Sequence, residues 1–142
     1  MTPAPPDFPA PTARGPGIHR ITKSFKFEAA HLLGGLPEGH QCARLHGHGY
    51  TVEITLAGRQ LTGPGFVVDF AELQPLKRHL NDNFDHQFLN EILGVEPTSE
   101  NLARVLFEWC ASHLSLPESA DIEAVRVHET TTSWAEYRVD LS

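Results

Sequence analysis

From His46 to Leu56 the chain alternates without a break. His46, His48, Tyr50, Val52, Ile54 and Leu56 take one parity, and Gly47, Gly49, Thr51, Glu53 and Thr55 the other. Side chains of a strand point alternately to the two faces of a sheet, so this stretch predicts a strand with one apolar and one polar face. The apolar face runs directly into two imidazoles. A pair at i, i+2 aims both rings to one side, and histidine is the commonest neutral metal ligand. A second alternating stretch begins at Ile18, and in it Phe25, Phe27, Ala29 and His31 share a parity. A third ring from that neighbouring strand would complete a facial set of three imidazoles with an open fourth position, which suits a catalytic zinc ion better than a structural one. As ordinary core residues, the three rings would each need a hydrogen-bond partner.

The remaining pattern is of mixed type. A loop rich in Gly and Pro covers Gly34 to Cys42, and Gly63-Pro64-Gly65 marks a turn. Asp69 and Glu72 form a capping box for a first helix. Pro75 is awkward inside a helix, because it lacks a donor, so the helix effectively begins near Pro75 and runs to about Leu80. A second helix opens at Pro97-Thr98, with Thr98 or Ser99 as its cap and Leu102, Val105, Leu106, Trp109 and His113 as its buried stripe. Val125, Val127 and Glu129 share one face of a third strand; Ala135, Tyr137, Val139 and Leu141 share one face of a fourth. The order ββααββ, with turns or loops between neighbouring strands, predicts an α+β domain: a four-stranded antiparallel sheet with both helices on its apolar face.

At 142 residues the chain fits one domain. That domain covers residues 18–142, because Met1 to Gly17 carries six prolines and no apolar core and reads as a disordered or extended tail. A net charge of −7 argues against nucleic acid as a partner, although a small phosphorylated substrate needs only a few local cations. No stretch has the apolar run of a signal peptide or the length of a membrane span. The two cysteines make no disulfide framework, which points to a reduced, cytoplasmic setting.

Three further groups carry chemistry. Cys42 stands four residues before His46 and reads as an inert thiol, a fourth metal ligand or an activated thiolate; a nearby dication and Arg44 would favour the thiolate. Asp85 precedes His86, and a carboxylate beside an imidazole orients the ring and favours its charged form. Glu129 extends an apolar face, where a carboxylate needs a cation or a pair of donors. A planar amidine-like edge, as in a pterin or guanine, would satisfy it in bidentate fashion, and so would an internal salt bridge to Arg126 or Arg138. His19, His40, His79, His113 and His128 look incidental.

Taken together, Phe-Glu-Ala-Ala-His31, Cys42-Ala-Arg-Leu-His46-Gly-His48, Val-Val-Asp69-Phe, Phe-Asp85-His86-Gln-Phe-Leu-Asn90, Pro97-Thr98-Ser-Glu100-Asn101 and Val127-His-Glu129-Thr130 resemble the family of 6-pyruvoyl- and 6-carboxy-tetrahydropterin synthases. The resemblance spans roughly Phe25 to Tyr137. It implies the tunnelling fold, in which subunits pair their sheets into a barrel, usually as a hexamer of two stacked trimers with active sites between subunits. Three residues between the cysteine and the His-Gly-His are typical of the bacterial carboxy-synthase branch, which supplies queuosine and deazapurine precursors. The implied reaction converts 7,8-dihydroneopterin triphosphate to 6-carboxy-5,6,7,8-tetrahydropterin with release of acetaldehyde and triphosphate. The implied roles are zinc ligation by His31, His46 and His48, proton transfer by Cys42 and by His86 oriented by Asp85, and pterin anchoring by Glu129. Thr98 and Glu100 would line the pterin pocket, though both equally fit helix capping. Lys23, Lys26 and Arg44 are triphosphate candidates on charge alone. The alternatives are the pyruvoyl product or simple side-chain cleavage on the same scaffold and, from another class, a non-catalytic zinc protein whose site Cys42 closes.

Overall fold

The two alternating stretches form strands β1 (His19–His31) and β2 (His46–Gly58) in a computed structural model that describes residues 17–141. They pair antiparallel throughout, with Phe27 opposite Tyr50, Ala29 opposite His48 and His31 opposite His46. The tail expected over Met1–Gly17 therefore falls, except for Gly17, outside the described residues; so do Ser142 and the side chain of Cys42. Helix α1 (Gln74–Asn83) follows a 3-10 turn, Phe70–Leu73. A two-residue strand β3 (Gln87–Phe88) and a single helical turn α2 (Leu89–Ile92) lead to α3 (Ser99–His113), β4 (Ala120–His128) and β5 (Trp134–Arg138).

The expected four-stranded antiparallel sheet is corrected to five strands in the order β3-β1-β2-β4-β5, and β3 runs parallel to β1 at Ala29 and Ala30. Two residues are too short for alternation to reveal. The α+β architecture and the helices on the apolar face are as expected. Phe25, Phe27, Tyr50, Val52, Ile54, Val125 and Val127 from the sheet meet Leu76 and Leu80 of α1 and Leu102, Leu106 and Phe107 of α3 in one core. Each such fully buried aliphatic side chain contributes roughly 2 kcal/mol.

Two local expectations are corrected. Asp69 does act as a cap, accepting from the Ala71 amide at 2.9 Å, but it opens the 3-10 turn and not the α-helix. Pro75 explains the offset. Its ring would clash one turn back, so the α-helix starts at Gln74 and leaves the proline in the first turn, where no donor is needed. In α3 the buried face is Leu102, Ala103, Leu106, Phe107 and Cys110. Trp109 and His113 sit on the flank, where Trp109 stacks between His79 of α1 at 4.0 Å and His113 at 4.6 Å. Burial raises the Cys110 thiol to about 12, which makes it an inert core residue.

Candidate metal centre and its surroundings

Cross-strand pairing brings the three imidazoles together at the end of the core face. His31 lies opposite His46, and His48 stands two register positions along on the same face, so the ring centroids are 4.4 Å (His31–His46), 4.9 Å (His31–His48) and 4.6 Å (His46–His48) apart. One nitrogen from each ring lies within 4.8 Å of the other two. The tautomers follow from the partners. Nδ1–H of His31 donates to the Pro97 carbonyl at 2.8 Å, and Nδ1–H of His46 donates to the Arg44 carbonyl at 2.6 Å. In neutral rings each hydrogen is thereby used, which leaves both Nε2 atoms as lone-pair acceptors.

Those two Nε2 atoms stand 2.8 Å apart. Two lone pairs at that distance repel unless a proton or a metal cation lies between them or beside them. Nε2 of His48 is buried and has no hydrogen-bond partner among the described residues, a condition that costs free energy in a protein interior. Burial lowers the pKa of His48, and the neighbouring rings add to that effect against the opposing charge of Glu129. A low imidazole pKa keeps the ring neutral, the form that ligates metal. Three neutral, converging imidazoles, two of them oriented by carbonyls, therefore fit a borderline-soft divalent ion such as zinc. Tyr50, fully buried beneath them, places its hydroxyl 3.2 Å from His31 Nδ1, and burial raises its pKa so that it stays a phenol.

Glu129 lies just beyond the end of β4, with Oε1 3.7 Å from Nε2 of His31. The salt bridges considered for it do not form: Arg126 pairs with Glu136, and Arg138 with Glu123 and Glu136. Its carboxylate instead faces the imidazole cluster from the open side. Thr98 accepts from the Asn101 amide at 3.1 Å as the N-cap of α3, and Glu100 is exposed in the first turn of that helix. The preceding residue supplies the carbonyl that orients His31, so the start of α3 is fixed against the cluster. The backbone of Cys42 lies in a 3-10 turn, Gln41–Ala43, shortly before His46.

Asp85 and His86 are not brought to this cluster within the chain. Asp85 Oδ1 accepts from the Glu28 amide at 2.8 Å, which with the His86 hydrogen bond holds its carboxyl below the usual range. Nδ1–H of His86 donates to Asp85 Oδ2 at 2.8 Å, leaving Nε2 as the outward lone pair, 3.9 Å from Glu28 Oε2. His86 adopts a left-handed backbone, φ 59°, uncommon for a residue with a side chain and a local cost of order 1 kcal/mol. It borders an open groove of about 620 Å³ that Glu28, Ala29, Ala30, Gly47, His48, Gly49, Gln87 and Phe88 also line. Glu28, Ala30, Gly47 and Gly49 have the parity opposite to His31, His46 and His48, so the groove opens on the face opposite the three rings, with His48 at the boundary between them.

Several supporting residues escaped the sequence: the Pro97 and Arg44 carbonyls, Tyr50, and Asn90. The Asn90 amide accepts from Leu32 N–H at 2.8 Å and donates to Leu32 C=O at 2.7 Å, pinning the chain just after His31. Only the Asn in the Phe-Asp-His-Gln-Phe-Leu-Asn motif hinted at it.

The sequence model of the 6-pyruvoyl tetrahydropterin synthase family matches residues 20–140. The 6-carboxy-5,6,7,8-tetrahydropterin synthase of Bacillus subtilis is 34% identical over 136 residues, covering 90% of this chain and 90% of the relative. The enzyme of the same name from Synechocystis is 42% identical over 127 residues, covering 82% and 91%. Among solved structures, Caenorhabditis elegans 6-pyruvoyl tetrahydropterin synthase superposes with a TM-score of 0.75 at 27% identity over 87% of this chain and 97% of that one. The chain is an enzyme of the 6-pyruvoyl tetrahydropterin synthase family.

Proposed function

We propose that this enzyme is a zinc-dependent lyase that converts 7,8-dihydroneopterin triphosphate to 6-carboxy-5,6,7,8-tetrahydropterin, with release of acetaldehyde and triphosphate, in the supply of queuosine or other deazapurines in the cytoplasm. The observation that carries the reading is the pair of Nε2 atoms 2.8 Å apart, each ring fixed by a carbonyl on its far side, beside a third Nε2 that has no partner among the described residues. The names of the Bacillus and Synechocystis relatives support the carboxy product, as does the short spacing from Cys42 to His46.

In this reading His31, His46 and His48 hold the ion, which when bound supplies a Lewis acid for the oxygen atoms of the substrate side chain. Glu129 accepts from the ring N–H and 2-amino group of the pterin and so sets the reacting carbons beside the imidazole cluster. Thr98 and Glu100 flank the ring. Cys42 as thiolate removes a carbon-bound proton. His86 Nε2, with its tautomer fixed by Asp85, exchanges protons on the other side of the side chain. Because the sheet separates His86 from the imidazoles of its own chain, the catalytic set is completed by a second subunit, in keeping with a hexamer of two trimers.

The test is incubation of the zinc-loaded protein with dihydroneopterin triphosphate, followed by mass spectrometry of the pterin and assay of acetaldehyde. One acetaldehyde per carboxypterin is the expected result. A product that keeps its three-carbon side chain would assign the pyruvoyl activity, the activity named for the Caenorhabditis elegans neighbour.

A further inference from the structure

His86 holds a left-handed backbone that residues with a side chain seldom adopt, and Glu28 keeps it there. The His86 N–H donates to the Glu28 carbonyl, and the Glu28 N–H donates to Asp85 Oδ1 at 2.8 Å. At this position the outer edge of β1 is therefore already occupied from within the chain. The turn carries Asp85 and His86 over the face of the sheet to which Glu28 points. Nδ1–H of His86 meets Asp85 Oδ2 at 2.8 Å, and Nε2 faces Glu28 Oε2 at 3.9 Å. One imidazole thus has a carboxylate at each nitrogen. The second gap is too long for a direct hydrogen bond and leaves room for a substrate atom at Nε2. Among the described residues no lysine or arginine lines this groove, and Glu28 has no ion-pair partner other than His86. Backbone strain that the surroundings hold in place clusters at sites where a side chain has to be aimed.

We propose that Glu28 is a positioning residue that acts through His86, its carboxylate stabilising the imidazolium that forms when Nε2 takes a proton. This role rests on the reading of His86 as the group that exchanges protons with the substrate. In that step the Nε2 lone pair forms an N–H bond, and the electron pair of the broken bond stays on the substrate. The ring gains a positive charge. Asp85 faces that charge from the Nδ1 side and Glu28 from the Nε2 side; His48, at the boundary of the groove, is the other titratable side chain lining it. When the proton returns to the substrate the ring is neutral again, and Glu28 is unchanged. A fixed charge aimed beforehand at the place where opposite charge develops lowers the barrier without reorganisation during the step. Glu28 therefore contributes twice: its backbone sets the turn, and its side chain supplies the second carboxylate.

Steady-state kinetics of the full-length, zinc-loaded protein on dihydroneopterin triphosphate test it. Glu28→Gln keeps both backbone hydrogen bonds and nearly the shape of the side chain. It should lower kcat about fivefold, the effect of one charge about 4 Å away across water, with KM unchanged. Glu28→Asp restores the charge and should recover most of the loss. The gap between wild type and Glu28→Gln should shrink as salt is raised, because both side chains are exposed. Added to His86→Ala, Glu28→Gln should cost nothing further, since the ring it acts on is gone. Glu108→Gln removes an equal charge from the exposed side of α3 and should leave kcat unchanged. Melting curves confirm that each variant is folded. A wild-type kcat in Glu28→Gln, with His86→Ala impaired, overturns the proposal and leaves the role of His86 standing. A raised KM in place of a lowered kcat, or a further loss on top of His86→Ala, also overturns it. If His86→Ala itself turns over at the wild-type rate, the reading of His86 falls and the role of Glu28 falls with it.

Discussion

A neutral imidazole carries one N–H and one lone pair, so tying Nδ1–H of His31 to the Pro97 carbonyl decides what its Nε2 can do. The same holds for His46 and the Arg44 carbonyl. Convergence of the rings was legible in the sequence because the i, i+2 pair and the end of the neighbouring strand fix it by parity alone. The carbonyls were not, since Pro97 lies sixty-six residues from His31 and only tertiary packing brings it near. Two predictions belong here. Replacing Cys42 by Ala should reduce kcat on the order of a thousandfold, the range for a lost proton-transfer group, while atomic absorption still finds zinc bound at the wild-type level. Loss of zinc together with loss of stability would instead make Cys42 a ligand and the site structural. Glu129→Gln keeps the shape of the side chain but removes its charge, and should raise KM about tenfold while zinc content stays constant.

At the scale of elements, long strands and the cap of α3 read well, because period and cap chemistry are local. Thr98 caps α3, and β1 and β2 bury the parities expected. What failed to read was set by neighbours. Strand β3 exists only because Gln87 and Phe88 lie along β1, and the flank of α3 is set by the stacking of Trp109 between two histidines. Glu123 is another such case. Its buried carboxylate accepts from Arg20 Nε at 2.7 Å and Arg138 Nη1 at 2.6 Å, tying β4 to both β1 and the end of β5. The Arg20 hydrogen bond foremost, then that of Arg138, holds the Glu123 carboxyl below its ordinary value. A depressed carboxyl adds stability that is present above the unfolded value, about 4.3, and is lost as pH falls through the lower folded value. Glu123→Gln should therefore lower Tm by a few degrees at pH 7 and converge with the wild type as the pH falls below 4, as read by thermal melts across a pH series. Asn90→Ala removes both hydrogen bonds to Leu32, a cost of about 2 kcal/mol in chemical denaturation, and loosens the strand end that carries His31.

Across the whole molecule, the sheet acts as a partition. His31, His46 and His48 share the parity of the core, whereas His86 stands with Glu28, Gly47 and Gly49 over the other face. The proposed catalytic role of His86 is therefore assigned to the imidazole cluster of a different copy. Two features accommodate one. A Cβ at Gly49 would meet nothing within 4 Å, so the glycine is not required by its own chain and leaves that face bare for close approach. The outer edge of β5, and that of β1 over most of its length, are unpaired among the described residues and offer strand edges to neighbours. The consequence is a complementation test. Cys42→Ala and His86→Ala should each be inactive as pure assemblies. In co-expressed mixed assemblies with equal shares, a site is intact when one subunit keeps Cys42 and the adjoining one keeps His86, so random mixing should restore about a quarter of wild-type activity. If Cys42 and His86 served one site from a single chain, every chain in the mixture would carry a defect and activity would stay at the level of the single variants.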